Sequence, residues 1–323
     1  MQPYSPKIGA KPRIDRRIMV AALTYNRPEG LAALLDGLAA LKLPQGRVEF
    51  VIVDNSPDAS ARFLVLSRVA RFPAPLYYRH EPKRGLSSAR NNALDFALER
   101  ADLMAFIDDD EVPQIYWLLN HLETINQTHC TASLGAVHAQ FAAEPKEWMR
   151  RGGFQEVRRQ KRHEILATGS TSNVLFDLAS VRRLGLRFDE AFSRTGGEDT
   201  EFFDSLILEG GQILFTPQAI VTETIVPERA TLTWLWQRWR RTGATDAKIR
   251  HKRKAGLQTS TRCIAGGVLR MGVGSALALV MLPASLVGRF DLCVKYLRIA
   301  ARGLGFVEGA FGREIEEYRI VTR

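Results

Sequence analysis

The sequence predicts an α/β fold, a sheet flanked by helices, followed by a basic and partly apolar helical extension. Between residues 17 and 228, short apolar runs alternate with amphipathic stretches, the pattern of strands joined by crossover helices. After Pro227, tryptophans alternate with arginines and a long uncharged run follows. We therefore expect a basic tail at 1–16, a catalytic α/β domain at 17–228 and a helical region at 229–323.

The elements of the first half can be placed one by one. Residues 18–23 form an apolar run typical of a buried strand, and 27–41 follow as a helix because Pro28 suits a first helical turn and leucines recur at helical spacing. The same reasoning predicts a strand at 50–53, a helix at 60–71, a strand at 76–79, a helix at 86–100 and a strand at 103–107. Polar residues follow the strands, at the edge where ligands bind in open α/β sheets.

Weaker patterns follow in the second half of this region. Residues 140–165 are rich in Arg, Lys and Glu and contain two adjacent glycines, which predicts a mobile loop with short elements. Further strands are predicted at 173–176 and 213–216, and short helices at 179–184 and 200–209.

Composition limits the class of protein. The 323 residues are 46% hydrophobic and 25% charged, which fits a folded chain rather than a disordered one. Three cysteines without a CxxC pair argue against a disulfide framework or a thiolate zinc site, and favour a reducing, cytoplasmic setting. The apolar run behind the basic N-terminus is too short for a secretory signal, so we expect no export.

Positive charge is concentrated in the last third of the chain. Residues 229–323 contain 18 Lys and Arg against 6 Asp and Glu, whereas residues 1–228 contain 27 against 29. This asymmetry indicates a polyanionic partner, for which anionic lipid, a phosphorylated substrate and nucleic acid all qualify. The basic region also contains the uncharged run 271–288, interrupted by Pro283. We expect peripheral attachment to the inner face of the cytoplasmic membrane, with a membrane span or a buried hairpin as the alternatives.

Four consecutive acids, Asp108, Asp109, Asp110 and Glu111, end the apolar strand at 103–107. Adjacent carboxylates repel one another, and a hard divalent cation relieves that repulsion. Mg²⁺ and Mn²⁺ are commonly held by one or two protein carboxylates while phosphate oxygens and water complete the shell. The run therefore suits a metal and diphosphate site, and a solvated acidic turn or helix start is the structural alternative.

A second acidic motif follows two glycines. Glu198 and Asp199 come directly after Gly196 and Gly197, at the start of the helix predicted at 200–209. A carboxylate held in place there could deprotonate an acceptor hydroxyl. The alternative is a capping pair that only begins the helix.

Polar residues after the first two strands suit a nucleoside. Thr24, Asn26 and Arg27 follow one strand and Asp54 follows the next, while the glycine turn at 84–92 adds the cationic side chains of Arg84 and Arg90 near a helix start. Such a helix start binds anions readily. Each residue also has an ordinary interpretation, Asp54 as a turn cap and Arg90 as a surface charge. The order of the motifs is the specific signal.

In this order the motifs resemble those of inverting glycosyltransferases of family 2, which have the GT-A fold, a Rossmann-like mixed sheet flanked by helices. The resemblance extends over about residues 17–243. It is carried by residues 24–27, 51–55 and 85–92, by 106–110 as the DxD motif, and by 197–199 as the acidic base motif. Within the family the sequence is most similar to bacterial enzymes that build exopolysaccharide repeat units, the succinoglycan type included.

The resemblance implies a nucleotide-sugar donor, expected to be a UDP-sugar, a Mg²⁺ or Mn²⁺ cofactor and a glycan or lipid-linked acceptor. It places Asp108 on the ribose or metal, Asp110 on the metal, and Asp199 as the general base with Glu198 beside it. The nucleotide is expected to contact Thr24, Asn26, Arg27, Asp54, Arg84, Arg90, Asp108 and Asp109.

The processive members of the family have a Gln-x-x-Arg-Trp motif, and here only Gln237-Arg238-Trp239 is present, two residues shorter. We therefore expect the addition of single sugars. Two rival functions stay open at this point. A sugar-phosphate nucleotidyltransferase would also use a nucleotide and a metal, but its glycine-rich N-terminal phosphate loop is missing. A basic nucleic-acid-binding module would fit the pI of 9.8, yet the basic region follows an acidic sheet edge rather than replacing it. We expect no nucleic-acid partner.

Overall fold

The computed structural model describes residues 16–156 and 161–315, and the chain forms two compact units. The first unit comprises the described parts of Met1–Ala139, Glu156–Ser193 and Glu198–Glu223, and the second those of Gln140–Gln155, Arg194–Gly197 and Thr224–Arg323. The units are interleaved along the chain, because two short segments of the first 200 residues belong to the second unit. The expected boundaries, a catalytic domain at 17–228 and a helical region at 229–323, stay a prediction.

The strands and helices follow in chain order. The first part contains β1 (Ile18–Thr24), α1 (Pro28–Ala39), β2 (Val48–Asp54), α2 (Arg62–Leu66), β3 (Leu76–His80), α3 (Leu86–Arg100), β4 (Leu103–Asp108), β5 (Glu111–Pro113) and α4 (Trp117–Thr128). The second part contains β6 (Ala132–Phe141), α5 (Glu147–Gly152), β7 (Val174–Asp177), α6 (Leu178–Leu184), α7 (Glu198–Leu208), β8 (Ile213–Ile225), α8 (Leu232–Arg253), α9 (Leu257–Met281) and α10 (Phe290–Ala310).

One mixed sheet organises the first unit. Its strand order is β3-β2-β1-β4-β7-β6-β8-β5. Strands β1 to β4 are parallel, whereas β7 runs antiparallel to β4, β6 to β7, and β5 to β8. The predicted α/β class with a mixed sheet is confirmed.

Both faces of the sheet are covered, which explains why its central strands read as continuous apolar runs. Alternate residues of β1 point to opposite faces. One face packs on α1 through Leu31, Leu34, Leu35 and Leu38. The other packs on small residues of α3 and on a phenylalanine cluster: Ala89, Ala93, Ala97, Phe106, Phe176, Phe188, Phe202 and Phe203.

Some elements differ from the sequence prediction. The helix expected at 60–71 is the short α2 followed by a 3-10 turn at Val69–Arg71, and β8 continues far beyond the strand expected at 213–216. Helix α5 lies within the loop predicted at 140–165, of which residues 157–160 lie outside the described residues.

Helix α4 had no predicted counterpart, because its buried face is partly polar. Asn120, His121 and Thr124 are all buried there. The Asn120 amide donates to the Gln218 carbonyl at 2.7 Å, and the His121 ring lies 2.8 Å from the Ser133 hydroxyl. Hydrogen bonds thus replace apolar contacts on this face and weaken the hydrophobic period of the sequence.

The second unit contains the C-terminal helices predicted from the sequence. Thr231 caps α8 by accepting a hydrogen bond from the Trp234 amide at 3.2 Å. Helix α10 packs against both α8 and α9 through glycines: a Cβ added at Gly305 would meet the Arg240 carbonyl, and one at Gly303 the Gly267 carbonyl. Within the described residues, Leu257–Val287 is one helix long and apolar enough to cross a membrane, with 22% of its most apolar window buried.

Candidate active site

The predicted site residues meet at the carboxyl edge of the central strands. In the parallel register Thr24 pairs with Asp54 of β2, and Leu23 pairs with Asp108 of β4. Three polar strand ends therefore adjoin one another, as expected for the ligand-binding edge of such a sheet.

The acidic run is tied to the loop after β1. Asp109 accepts hydrogen bonds from the Thr24 hydroxyl and from Arg27, both at 2.9 Å. The same Arg27 guanidinium donates to Asp110 at 2.9 Å. Asn26, between these partners, is exposed with a φ of 51°, so its left-handed backbone turns the chain from β1 into α1.

Burial and mutual repulsion act on the carboxyls of the acidic run. Burial, and next the Asp110 charge, raise the pKa of Asp108 to about 7, while Arg90 lowers it. Burial and the Asp108 charge also raise the pKa of Glu111, whose carboxylate accepts the Asp108 amide hydrogen at 3.0 Å. Buried carboxyls with such pKa values need a proton or a cation nearby.

Glu223 of β8 is a site residue that the sequence analysis missed. It pairs in register with Glu111 of β5, and its charge raises the pKa of both Asp108 and Glu111. The signal was weak because β8 was predicted to end at residue 216, so that Glu223 had no strand to bring it to the site.

Asp54 is completely buried and fully hydrogen bonded. It accepts from the Ser56 amide at 2.9 Å, from the Ser56 hydroxyl at 2.7 Å and from the Ala61 amide at 2.8 Å. Tyr78 donates at 3.1 Å, and burial and then the Asp54 charge raise the pKa of this tyrosine to about 12. Asp54 therefore holds the turn after β2, and its contact with a nucleotide base stays a prediction.

Asn55 was not among the predicted site residues, yet it shapes the loop before α3. Its amide nitrogen donates to the carbonyls of Glu81 and Lys83, both at 2.8 Å, and its oxygen accepts from the Gly85 amide at 2.9 Å. Arg84 lies in this loop with its guanidinium 5.8 Å from the centre of the Tyr25 ring. Asn55 thereby holds one predicted nucleotide ligand, Arg84, beside the loop after β1.

Arg90 and Glu198 form a buried ion pair between α3 and α7. Their side chains are only 8% and 2% exposed. Within the described residues, Nε of Arg90 and Oε2 of Glu198 have no hydrogen-bond partner. Because Arg90 also lowers the pKa of Asp108, one guanidinium serves the acidic run and the second acidic motif together.

Asp199 lies in the first turn of α7 and is half-buried. Its carboxylate accepts the Thr200 amide hydrogen at 2.6 Å. No hydrogen bond or ion pair joins Asp199 to the acidic run in the part of the chain that the structure describes. Of the two acids, Glu198 is engaged by a cation and Asp199 presents its charge at a helix start, where the helix dipole stabilises it.

The donor set fits a hard divalent cation. Asp108, Asp110 and Glu111 offer only oxygen ligands, and burial and then the Asp110 charge raise the pKa of Asp108. Across residues 16–156 and 161–315, no three His, Cys, Asp or Glu side chains form a ready metal cage. Mg²⁺ and Mn²⁺ beside a diphosphate need no such cage, since phosphate oxygens and water supply most of their ligands.

Sequence comparisons find a matching family profile and a similar protein. A family profile described as Glycosyl transferase family 2 matches residues 20–186. The chain is 34% identical to the succinoglycan biosynthesis protein ExoM of Rhizobium meliloti (strain 1021), over 95% of this chain and 97% of that protein.

Two solved structures show the same fold at low sequence identity. The mannosyltransferase PcManGT of Pyrobaculum calidifontis, in complex with GDP-Man and Mn²⁺, has a TM-score of 0.60 and 19% identity, with 95% of this chain and 91% of that chain covered. Residues 1–349 of S. aureus TarS, in complex with UDP-GlcNAc, have a TM-score of 0.50 and 16% identity, with 92% and 91% covered.

Proposed function

The chain belongs to glycosyltransferase family 2, and from this premise we propose that it transfers a single sugar from a nucleoside diphosphate sugar, expected to be a UDP-sugar, to an acceptor hydroxyl. The observation that carries the proposal is the run of four carboxylates, Asp108 to Glu111, at the carboxyl edge of the parallel strands, where a divalent cation would relieve their repulsion and bind a diphosphate. We propose a glycan or a lipid-linked saccharide as the acceptor, which fits the succinoglycan role of the R. meliloti relative.

The donor side consists of the residues around the acidic run. Asp108 and Asp110 would hold a Mg²⁺ or Mn²⁺ ion, which neutralises charge on the diphosphate as it leaves. The Mn²⁺ bound to the P. calidifontis mannosyltransferase supports this assignment. Thr24 and Arg27, which bind Asp109, orient the acidic run, and Arg84 with Tyr25 lines the loop beside it.

On the acceptor side, Asp199 is the proposed general base. The acceptor hydroxyl gives its proton to the Asp199 carboxylate, and its oxygen forms a bond to the anomeric carbon while the bond from that carbon to the diphosphate breaks. A single displacement of this kind inverts the configuration and needs no protein nucleophile. Glu198, bound to Arg90, positions the start of α7 rather than taking the proton.

We also propose that the protein is attached to the inner face of the cytoplasmic membrane by its basic C-terminal region. The concentration of Lys and Arg in residues 229–323 and the exposed apolar helix Leu257–Val287 support it, because polybasic and apolar signals reinforce each other at an anionic surface.

Donor binding tests the proposal directly. Calorimetry with UDP should show binding in Mn²⁺ that is lost in EDTA and in Asp110→Ala, since diphosphate oxygens would otherwise face the carboxylates without a cation. Glu99→Ala, which removes an exposed acid of α3, is the matched control and should bind as the wild type does. Full UDP affinity in EDTA would refute the metal assignment, and release of UDP from UDP-sugars would identify the donor.

A further inference from the structure

A cleft of about 400 Å³ in the second unit has arginines at four of its seven lining positions. Arg250 of α8, Arg270 of α9, and Arg298 and Arg302 of α10 surround it, so that all three C-terminal helices contribute. The remaining lining residues are Asp246, Ile299 and Phe306.

Among the described residues, a carboxylate pairs with one of these arginines. Arg302 donates to Asp246 at 2.6 Å. Within residues 16–156 and 161–315, no carboxylate pairs with Arg250, Arg270 or Arg298. Partial burial, and then the like charges of Arg302 and Arg238, lower the pKa of Arg298. Like charges held together without a counter-ion are costly, and a bound anion would remove that cost.

An aromatic ring holds two of the guanidiniums in place. The Arg270 and Arg250 guanidinium carbons lie 4.8 Å and 5.3 Å from the centre of the Phe306 ring, which is itself buried. Arg270 also donates to the Gly266 carbonyl at 2.9 Å. Cation–π contacts and this hydrogen bond fix the planes of the two side chains, so less rotational freedom is lost when they bind an anion.

The same helix that contributes Arg270 exposes an apolar stripe. Its buried residues, Cys263, Gly267, Gly274 and Ala278, recur on one side of α9. The large apolar side chains exposed along α9 and the turn after it are Val268, Leu269, Val273, Leu279, Val280, Leu282, Leu286 and Val287. Val273 lies three residues after Arg270, a spacing that makes the two side chains neighbours on α9, so the apolar stripe and the arginine cleft adjoin each other.

We propose that this cleft binds the phosphate of an anionic phospholipid headgroup while the apolar stripe of α9 enters the adjoining acyl region of the bilayer. The forked guanidinium matches the geometry of phosphate oxygens and binds them in pairs. A free phosphate compound would use only the cleft, whereas a lipid uses the cleft and the stripe together, and their adjacency favours the lipid. The inference deepens the proposed membrane attachment by naming its binding site.

Vesicle flotation with the full chain tests the inference. Wild-type protein should bind to vesicles of phosphatidylcholine with phosphatidylglycerol, and should bind much less to vesicles of phosphatidylcholine alone. The double variant Arg250→Gln/Arg298→Gln should bind the anionic vesicles about tenfold more weakly or worse. Its matched control is Arg262→Gln/Lys295→Gln, which removes the same charge from exposed positions of α9 and α10 outside the cleft. The control should lose less than about threefold, because charges outside the cleft act only through the screened surface potential.

Two further measurements separate the outcomes. Leu269→Ser/Leu279→Ser should lower binding to the vesicles while calorimetric titration with glycerol phosphate stays as in the wild type. Equal losses in the two charge variants would overturn the cleft and leave general basic attraction. Undiminished vesicle binding by the leucine variant would overturn the lipid assignment.

UDP affinity in Mn²⁺, measured on every variant, keeps this inference distinct from the proposed function. Vesicle binding through the cleft without any UDP binding would contradict the transferase proposal and support the cleft. UDP binding with no preference for anionic vesicles would support the transferase proposal and contradict the cleft.

Discussion

At the scale of single residues, Asp199 and Glu198 are adjacent acids with different surroundings. Glu198 is bound to Arg90, whereas Asp199 is half-buried at the start of α7. We expect Asp199→Asn to lower kcat on the order of 10²–10⁴-fold, because an amide keeps the shape of the carboxylate but cannot take the hydroxyl proton. The check is to measure UDP release in the presence of acceptor and UDP affinity on the same protein. We expect the UDP affinity to equal that of the wild type.

An Asn also caps a helix about as well as an Asp, so the structural alternative predicts near wild-type turnover for this variant. Unchanged turnover would move the base assignment away from Asp199. Thermal unfolding of the variant shows whether the fold is preserved.

Substitutions in the Arg90–Glu198 pair are expected to lower the stability of the fold. Glu198→Gln removes the carboxylate that is paired with the buried Arg90 charge, and we expect a cost of about 3–5 kcal/mol in the free energy of unfolding. The double variant Arg90→Met/Glu198→Met should cost less than the sum of the two single changes, because both charges leave together. Urea unfolding of the wild type, of the single variants Arg90→Met and Glu198→Met and of the double variant gives the coupling energy, and additive losses would show that the pair is not coupled.

His121 predicts a dependence of stability on pH. Burial lowers its pKa to about 4, and its ring lies 2.9 Å from Asn173 Oδ1, an acceptor that requires a proton on Nε2. Between pH 4 and 6.5, His121 is protonated in the unfolded chain but neutral in the native state. Stability is therefore full above pH 6.5 and falls as the pH decreases toward 4, by on the order of 3 kcal/mol.

Urea unfolding of wild type and His121→Gln across this range isolates the effect, because the carboxyls titrate alike in both proteins. Only the wild type should show the extra decline below pH 6.5. Parallel curves for the two proteins would mean that the pKa of His121 is the same in the native and unfolded states.

The sequence was sufficient for the identity of the acidic residues but not for their partners. Asp108 to Glu111 and the Gly197–Asp199 motif are contiguous in the chain, so spacing alone could find them. The Arg90–Glu198 pair and the Glu111–Glu223 register join residues more than 100 positions apart. Such contacts depend on tertiary packing, which no local pattern encodes.

At the scale of elements, the glycines of the C-terminal helices set how closely those helices approach. A Cβ at Gly303 of α10 would lie 2.6 Å from the Gly267 carbonyl oxygen and 2.7 Å from the Met271 amide nitrogen of α9. Gly303→Ala should therefore destabilise this unit by about 1–3 kcal/mol. Gly272→Ala on α9 is the control, since nothing lies within 4 Å of the added methyl and alanine favours a helix by about 1 kcal/mol.

Tryptophan fluorescence suits this measurement. Of the five tryptophans, Trp148, Trp234, Trp236 and Trp239 belong to the second unit and only Trp117 to the first. Equal midpoints for the two glycine variants would show that α9 and α10 are less closely packed than the structure has them.

Elements were predictable where burial is apolar and continuous. Strands β1, β2 and β4 and helices α1 and α3 were placed within a few residues, because both faces of the strands and one stripe of each helix are apolar. Helix α4 was missed because Asn120, His121 and Thr124 occupy its buried face. Strand β8 was cut short because its far half alternates buried with partly exposed residues.

At the scale of the whole molecule, the uneven charge predicts how the protein leaves a membrane. If residues 229–323 attach it peripherally, about 1 M salt, which reduces the Debye length to about 3 Å, should release most of the full-length chain from isolated membranes. Immunoblots of pellet and supernatant at low and high salt would measure this. Retention in the pellet until detergent is added would mean that apolar residues of Leu257–Val287, rather than surface charge, hold the protein in the bilayer.

The position of Arg90 has a consequence for how such enzymes can be recombined. In a chimera of the N-terminal half of one relative and the C-terminal half of another, the α3 arginine and the α7 glutamate would come from different parents. The Arg90 guanidinium is paired with Glu198 and also interacts with the Asp108 charge. A residue that replaces Arg90 must therefore be compatible with both carboxylates. The two motifs are thus exchangeable only together with α3, and crossover points between residues 90 and 198 should yield active chimeras only when both parents supply the same pair of charges.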